Sequence, residues 1–314
     1  MKIPVTVLMP VYNGALHIKE AIDSVLAQTF TEFELLIVND GSTDDTAAIV
    51  RQYSDPRIVL LERANGGVSA ALNTGLAAAR GKYIARFDAD DVCYPVRLGV
   101  QVNFLESNPD YVMVGSDADY MTEEGEYIHT FRNVGYTDAD IRESLAIHCS
   151  FIHSSVMYRR EVVLSLGGYE VKAHTFEDYF LWTKLIHQGK VCNLPQPLIK
   201  VRFNTASVTV DEKDQDKEFQ KLKKKALMCG EITDDEGRRI NAGVKRLTLR
   251  RKQGSYHRLL AKKFLWNNYK PAKARSHIWL SVKVEPLRFT AYFLLLVSLL
   301  PQAVINWLYK TKKG

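Results

Sequence analysis

Four short apolar runs alternate with three stretches of helical apolar spacing in the first 91 residues, and this alternation constrains the fold more than any other feature. Val5–Met9 runs to Pro10 and a turn at Asn13-Gly14, after which Ile18, Ile22, Val25 and Leu26 recur at helical spacing. Leu35–Val38 breaks at Asn39-Asp40-Gly41-Ser42, where Ser42 and Asp45 predict a capping box for a helix through Ile49. Ile58–Leu61 is the third run, and an Ala-rich helix from Val68 to Ala79, closed by Gly81, follows it. Tyr83–Phe87 is the fourth and ends in Asp88-Ala89-Asp90-Asp91. Pro95 then opens a helix with Leu98, Val102 and Leu105 on one face. Strands alternating with helices predict an α/β fold around a Rossmann-like, mainly parallel, doubly wound sheet. Such sheets bind ligands beyond the carboxyl ends of their strands, where the acidic clusters of this chain fall.

The remaining chain is less regular. Short strands are expected near Tyr111–Gly115 and Ile199–Phe203, with a helix from about Glu177 to Gln188. From about Asp211 the chain turns charged and helical, and the polar run Lys217–Lys225 predicts a solvated helix. Between Arg238 and Arg288 there are 15 Lys/Arg and one acidic residue, Glu285; this leaves 27 of the 42 basic and 35 of the 36 acidic residues elsewhere. An acidic body joined to a basic segment points to an anionic partner, either nucleic acid or lipid. The next segment decides between them. Phe289–Tyr309 is a run of 21 residues without Lys, Arg, Asp or Glu, closing on Trp307 and Tyr309 and followed by Lys310, Lys312 and Lys313. That pattern favours a membrane surface over nucleic acid, either as a span or, given Pro301, as a bent insertion; a buried core helix is the competing reading. The expected organisation is a catalytic domain at 1–210, a basic helical region at 211–284 and a hydrophobic, membrane-associating segment with a basic tail at 285–314. The oligomeric state is not encoded in any of these features. Cys93, Cys149, Cys192 and Cys229 form no CxxC pair, which suits a reducing compartment.

The chemistry-bearing residues sit at the predicted strand ends. If the strand continues through Asp88-Ala89-Asp90, alternation points the Asp88 and Asp90 carboxylates the same way, and two converging carboxylates call for a hard divalent cation. A solvated acidic turn is the plainer alternative. Asp40 is placed either to accept a nucleobase N–H or to serve as a turn residue. Arg63-Ala64-Asn65-Gly66-Gly67 offers a basic side chain and glycine backbone to a diphosphate, and it is neither GxGxxG nor a P-loop. Glu177-Asp178 opens a helix, whose dipole favours ionised carboxylates, as a general base requires. Trp182 is either core or a sugar-stacking surface. His153 is either a structural residue or a ligand for metal or phosphate.

Taken in order, Val7-Leu8-Met9-Pro10-Val11-Tyr12-Asn13, Val38 through Asp44, Asn65-Gly66-Gly67, Phe87 through Asp91 and Phe176-Glu177-Asp178 resemble the family 2 inverting glycosyltransferases. The resemblance covers roughly the first 205 residues. It implies a GT-A fold, a nucleotide-sugar donor and a single inverting displacement. It further implies donor contacts from Pro10, Tyr12, Asp40, Arg63, Asn65, Gly67, Asp88 and Ala89, with Asp40 at the base and Asp88 at the ribose or the metal. Mn²⁺ or Mg²⁺ would be held by Asp90 and Asp88, with His153 a further candidate ligand. Asp178 would be the catalytic base and Glu177 its alternative. Asn204, in Lys200-Val201-Arg202-Phe203-Asn204, stands where many relatives carry a histidine, and the QxxRW signature of processive synthases is absent.

The implied acceptor is a glycan or lipid-linked hydroxyl, reached at the cytoplasmic face of the cell membrane, in cell-surface polysaccharide or glycolipid synthesis. Polyprenyl phosphate is a rival acceptor, but a phosphate scarcely needs a base, and the Glu177-Asp178 pair favours a hydroxyl. A non-catalytic nucleotide-sugar-binding or scaffold module is the rival of another class, and it would need no carboxylate at Asp178.

Overall fold

A computed structural model of the chain describes residues 4–145, 147–205, 216–244 and 248–311. The expected boundary at 210/211 and the tail lysines Lys312 and Lys313 lie outside the described residues. The elements run β1 (Val5–Val11), α1 (Ile18–Leu26), β2 (Phe33–Asn39), α2 (Thr46–Arg51), β3 (Ile58–Glu62), α3 (Val68–Ala78), β4 (Tyr83–Arg86), β5 (Val92–Cys93), α4 (Arg97–Ser107), β6 (Tyr111–Met121), β7 (Tyr127–Phe131) and α5 (Asp138–Leu145). After a short 3₁₀ turn at His153–Ser155 come β8 (Met157–Arg159), α6 (Arg160–Ser165), α7 (Glu177–Leu185) and β9 (Lys190–Arg202). The chain closes with α8 (Lys217–Cys229), α9 (Asp234–Gly243), α10 (Leu249–Trp266), α11 (Pro271–Val284), α12 (Phe289–Val297) and α13 (Gln302–Thr311).

The strands form one sheet in the order β3-β2-β1-β4-β8-β6-β9-β5, with β7 beside β6. Parallel pairing links β3, β2, β1 and β4; β8 runs antiparallel to β4 and β6, and β5 antiparallel to β9. The sheet is therefore mixed, and the expectation of a mainly parallel sheet holds for its first half alone. The reason is local: in that half the helical crossovers return the chain to lie beside a strand of the same direction, whereas the later connections bring β8 and β5 back against strands running the other way. Its strands β1 and β2 are buried along their whole length, as the continuous apolar runs require. Pro95 precedes rather than opens α4, which begins at Arg97. The Ser42/Asp45 capping box does not form. Ser42 Oγ instead accepts the Asn13 N–H at 2.9 Å, and the Asp44 carboxylate accepts the Thr46 N–H at 3.1 Å.

The chain divides into two compact units. The first comprises 1–118, 130–201 and 220–241, and the second 119–129, 202–219 and 242–314. In the first, Ile18, Ile22 and Val25 of α1 join Val5, Val7, Met9, Leu35 and Ile37 in one apolar core. Close approach explains Gly81 better than helix closure does. A β-carbon there would lie 2.4 Å from the Thr6 nitrogen and 2.7 Å from the Val5 carbonyl carbon, both backbone atoms that cannot step aside. Gly81→Ala is expected to lower stability by about 1–3 kcal/mol, read as an earlier denaturant midpoint at unchanged slope. An unchanged midpoint would refute the close approach.

The second unit has its own core, in which Tyr256, Leu260 and Phe264 of α10 meet Ala274 and Ile278 of α11 and Ala291, Leu294 and Val297 of α12. The 21-residue uncharged run is divided between α12 and α13, which break at Ser298–Pro301. Among the described residues, no helix is long and apolar enough to cross a membrane.

Candidate active site

The register of the parallel strands gathers the motifs at one edge. Val11 lies opposite Asn39 and Leu8 opposite Arg86, so the chain leaves β1, β2 and β4 side by side. Backbone bonds continue beyond the strands, from the Asp40 N–H to the Val11 carbonyl at 2.8 Å and from the Phe87 N–H to the Leu8 carbonyl at 3.0 Å. Pro10 is buried in β1, while Tyr12 beyond it is exposed. Asn13, at φ 52°, clips the first two loops together, because its side-chain oxygen accepts the Thr43 N–H at 2.8 Å.

Asp40 is buried and is engaged by this chain's own loop. It accepts the Gly67 N–H at 2.8 Å and the Gly66 N–H at 3.1 Å, and it pairs with the Arg63 guanidinium. Gly41, at φ 75°, lets the two loops touch, since a β-carbon there would stand 2.8 Å from the Asn65 nitrogen. Asp40 therefore shapes the Arg63–Gly67 loop, leaving Asn65 exposed at its tip.

Beyond β4 the chain turns at Ala89–Asp90 rather than running on extended, so strict alternation does not govern Asp88 and Asp90. The turn brings in a third carboxylate. Asp88, Asp90 and Asp91 each offer an oxygen within 4.8 Å of the others. Three hard oxygen donors at this spacing fit Mg²⁺ or Mn²⁺. His153 is not part of this group. Its Nε2 lies 3.2 Å from the Tyr169 hydroxyl, and its ring packs edge-on against Trp182. Burial, and then the Arg86 charge, push its pKa well below the ordinary value and favour the neutral ring. Trp182 is fully buried, so of its two readings it is core. Ala89 is buried beneath the turn.

No motif singles out Arg86, yet it joins the parts of the site. It is a buried guanidinium at the last position of β4, paired with Asp88. Burial opposes its charge, but Asp88 and then Tyr169 and Asp91 more than offset this, holding its pKa above the ordinary value. Its field reaches the Glu177-Asp178 pair at the start of α7. Thr175, at φ 74°, turns the chain into that helix. Burial raises the pKa of Asp178; the Tyr179 N–H, 2.7 Å from its Oδ1, and the charges of Arg86 and Lys223 oppose that rise. Lys223 comes from α8, expected as a solvated helix. In fact α8 buries Phe219, Leu222 and Ala226, and Lys223 lies 5.5 Å from the Phe176 ring centre and 5.9 Å from that of Tyr179. Three apolar residues at spacings of three and four were enough to seat one face of a largely charged helix.

Glu177 is buried, and its Oε2 has no hydrogen-bond partner. Burial, and then the neighbouring Asp178, push its pKa up to about 7 from an ordinary 4.5. A carboxyl whose pKa rises on folding stabilises the fold below its unfolded value, and that advantage disappears as pH climbs through the folded value. Glu177→Gln is therefore expected to match the parent in stability near pH 4 and exceed it near pH 8, where the parent must bury a charge. Parallel pH–stability curves for the two proteins would contradict this.

A mixed α/β sheet whose strand ends carry a carboxylate cluster, beside a helix opening on an acidic pair, is a GT-A-like architecture. Residues 6–167 match the profile of Glycosyl transferase family 2, and the chain belongs to that family. It is similar to the amylovoran biosynthesis glycosyltransferase AmsE of Erwinia amylovora, at 30% identity over 209 residues, 65% of this chain and 77% of that one. Among solved structures it is similar in fold to S. aureus TarS residues 1–349 in complex with UDP (TM-score 0.56, 16% identity, 98% of this chain and 92% of that one). It is also similar to the mannosyltransferase PcManGT from Pyrobaculum calidifontis in complex with GDP-Man and Mn²⁺ (TM-score 0.55, 18% identity, 96% and 86%). The chain is a glycosyltransferase.

Proposed function

We propose that this glycosyltransferase moves a sugar from a nucleotide-diphosphate donor, a UDP-sugar first among the candidates, to a hydroxyl of a glycan or lipid-linked acceptor with inversion. One observation carries the reading: the buried cation Arg86 is paired with Asp88 of the three-carboxylate cluster, and its charge reaches the Glu177-Asp178 pair. UDP in the TarS complex and GDP-Man with Mn²⁺ in the PcManGT complex support a nucleotide-sugar donor and a divalent ion. The likeness to AmsE supports a place in polysaccharide synthesis.

Pro10, Tyr12 and Asp40 at the ends of β1 and β2, and Arg63, Asn65 and Gly67 in the loop after β3, supply donor contacts, with Ala89 after β4. Asp88 and Asp90, joined by Asp91, would hold Mn²⁺ or Mg²⁺. Its charge would offset that of the departing diphosphate and make a separate acid catalyst unnecessary. Asp178 takes the acceptor proton as the acceptor oxygen bonds to the anomeric carbon and the bond from that carbon to the diphosphate oxygen breaks. The burial that raises the Asp178 pKa makes it a stronger base than a solvated aspartate. Beside it Glu177, titrating near 7, spares the pair a full double charge in the neutral range.

The stereochemistry tests this reading. With an α-linked UDP-sugar and an accepted alcohol, the product is expected to carry a β linkage by the NMR coupling of its anomeric proton. A retained α linkage would exclude the single displacement, and transfer only to polyprenyl phosphate would remove the role given to Asp178.

A further inference from the structure

We propose that α12 and α13, together with the end of α11, form a face that lies in the headgroup layer of an anionic bilayer. This inference is independent of the transfer reaction. On α12, Ala291, Leu294 and Val297 are buried in the core of the second unit, while Phe289, Phe293 and Leu296 are exposed on another side. The buried set recurs every three residues and the exposed set at spacings of four and three, so α12 carries two apolar stripes, of which the fold covers only one. Phe289 is 88% exposed and Leu296 67%. The exposed stripe continues past both ends of the helix, to Leu287 at 89% and Leu299 at 68%. Trp279 and Leu280 on α11 and Trp307 on α13 add further exposed apolar surface. Folded proteins rarely leave so much large apolar side chain to water on one short segment without a partner.

Charge selects the partner. Leu287 sits between Lys283 and Arg288, and the Arg250 guanidinium at the start of α10 donates to the Val284 carbonyl at 2.5 Å, bringing a third cation to the same end of the face. Glu285, the one acidic residue between Arg238 and Arg288, is paired with Arg258 and Arg288. Exposed aromatic and aliphatic side chains beside a basic rim match the boundary between phosphate headgroups and acyl chains. The break at Ser298–Pro301 keeps α12 and α13 too short to span, and a helix lying in the plane of the interface needs no greater length.

The test is cosedimentation of the full chain with phosphatidylcholine vesicles, with and without phosphatidylglycerol, at low and high salt. The parent is expected to pellet with the phosphatidylglycerol vesicles, less so at high salt, and brominated acyl chains should quench its tryptophan fluorescence. The double variant Phe293→Glu/Leu296→Glu changes two exposed residues and should keep the parent's thermal unfolding while losing about tenfold or more in vesicle affinity. Lys283→Glu/Arg250→Glu should abolish the preference for phosphatidylglycerol. Unchanged vesicle binding by the first variant would overturn the proposal. So would a parent that ignores both kinds of vesicle, including one whose apolar stripe serves only to join two copies of the chain, a state that sedimentation velocity would reveal.

Discussion

Asp178→Asn is expected to slow turnover by about 10²–10⁴-fold while leaving donor binding nearly intact. The variant keeps the shape of the side chain and an oxygen that can accept the Tyr179 N–H, so the start of α7 should hold. What it loses is the ability to take a proton. The donor contacts are assigned to the ends of β1, β2, β3 and β4, on other elements, so nucleotide affinity should change little. Glu177 serves as the internal control. Its raised pKa leaves it largely protonated below about 7, where it accepts no proton. If Asp178→Asn proves nearly as active as the parent and Glu177→Gln proves inactive, the base assignment moves one residue back.

Asp90→Ala should weaken donor binding by about 10²-fold or more, because an ion offsetting diphosphate charge contributes several kcal/mol. EDTA should do the same to the parent. Asp90 sits at a turn and is only half-buried, so its truncation leaves the core intact, whereas Asp91 is fully buried and its replacement would confuse folding with binding. Titration calorimetry with a nucleoside diphosphate, in Mn²⁺ and then in excess EDTA, reads the effect. Full affinity in EDTA would remove the metal from the account and leave the carboxylate cluster as a solvated turn.

The parallel half of the sheet was legible in the sequence because each strand there is a continuous apolar run and each crossover a helix with its own period. The antiparallel half was not. Apart from β6 and β7 its partners are far apart in sequence, and β8 is three residues long and β5 two, too short to show a period. The site was legible as a set of motifs at strand ends, and the geometry places Asp88 and Asp90 together and Glu177 and Asp178 together. What joins the two pairs was not legible. Arg86 reads as an ordinary strand residue until the fold buries it, and Asp91 joins the cluster only because the chain turns at Ala89–Asp90. Lys223 was hidden in a charged helix whose few apolar residues turned out to seat it. The apolar run at the carboxyl end was legible as apolar, but the division of α12 into a covered and an uncovered stripe needed its packing partners.

The account rests most heavily on transfer from a nucleotide sugar. The purified chain, supplied with Mn²⁺ and a lipid extract as acceptor source, should be offered a panel of UDP-, GDP- and dTDP-sugars while release of the nucleoside diphosphate is followed. The account predicts release from one donor or a small group, abolished by EDTA and sharply reduced in Asp178→Asn. Release from no donor above the Asp178→Asn background would contradict it.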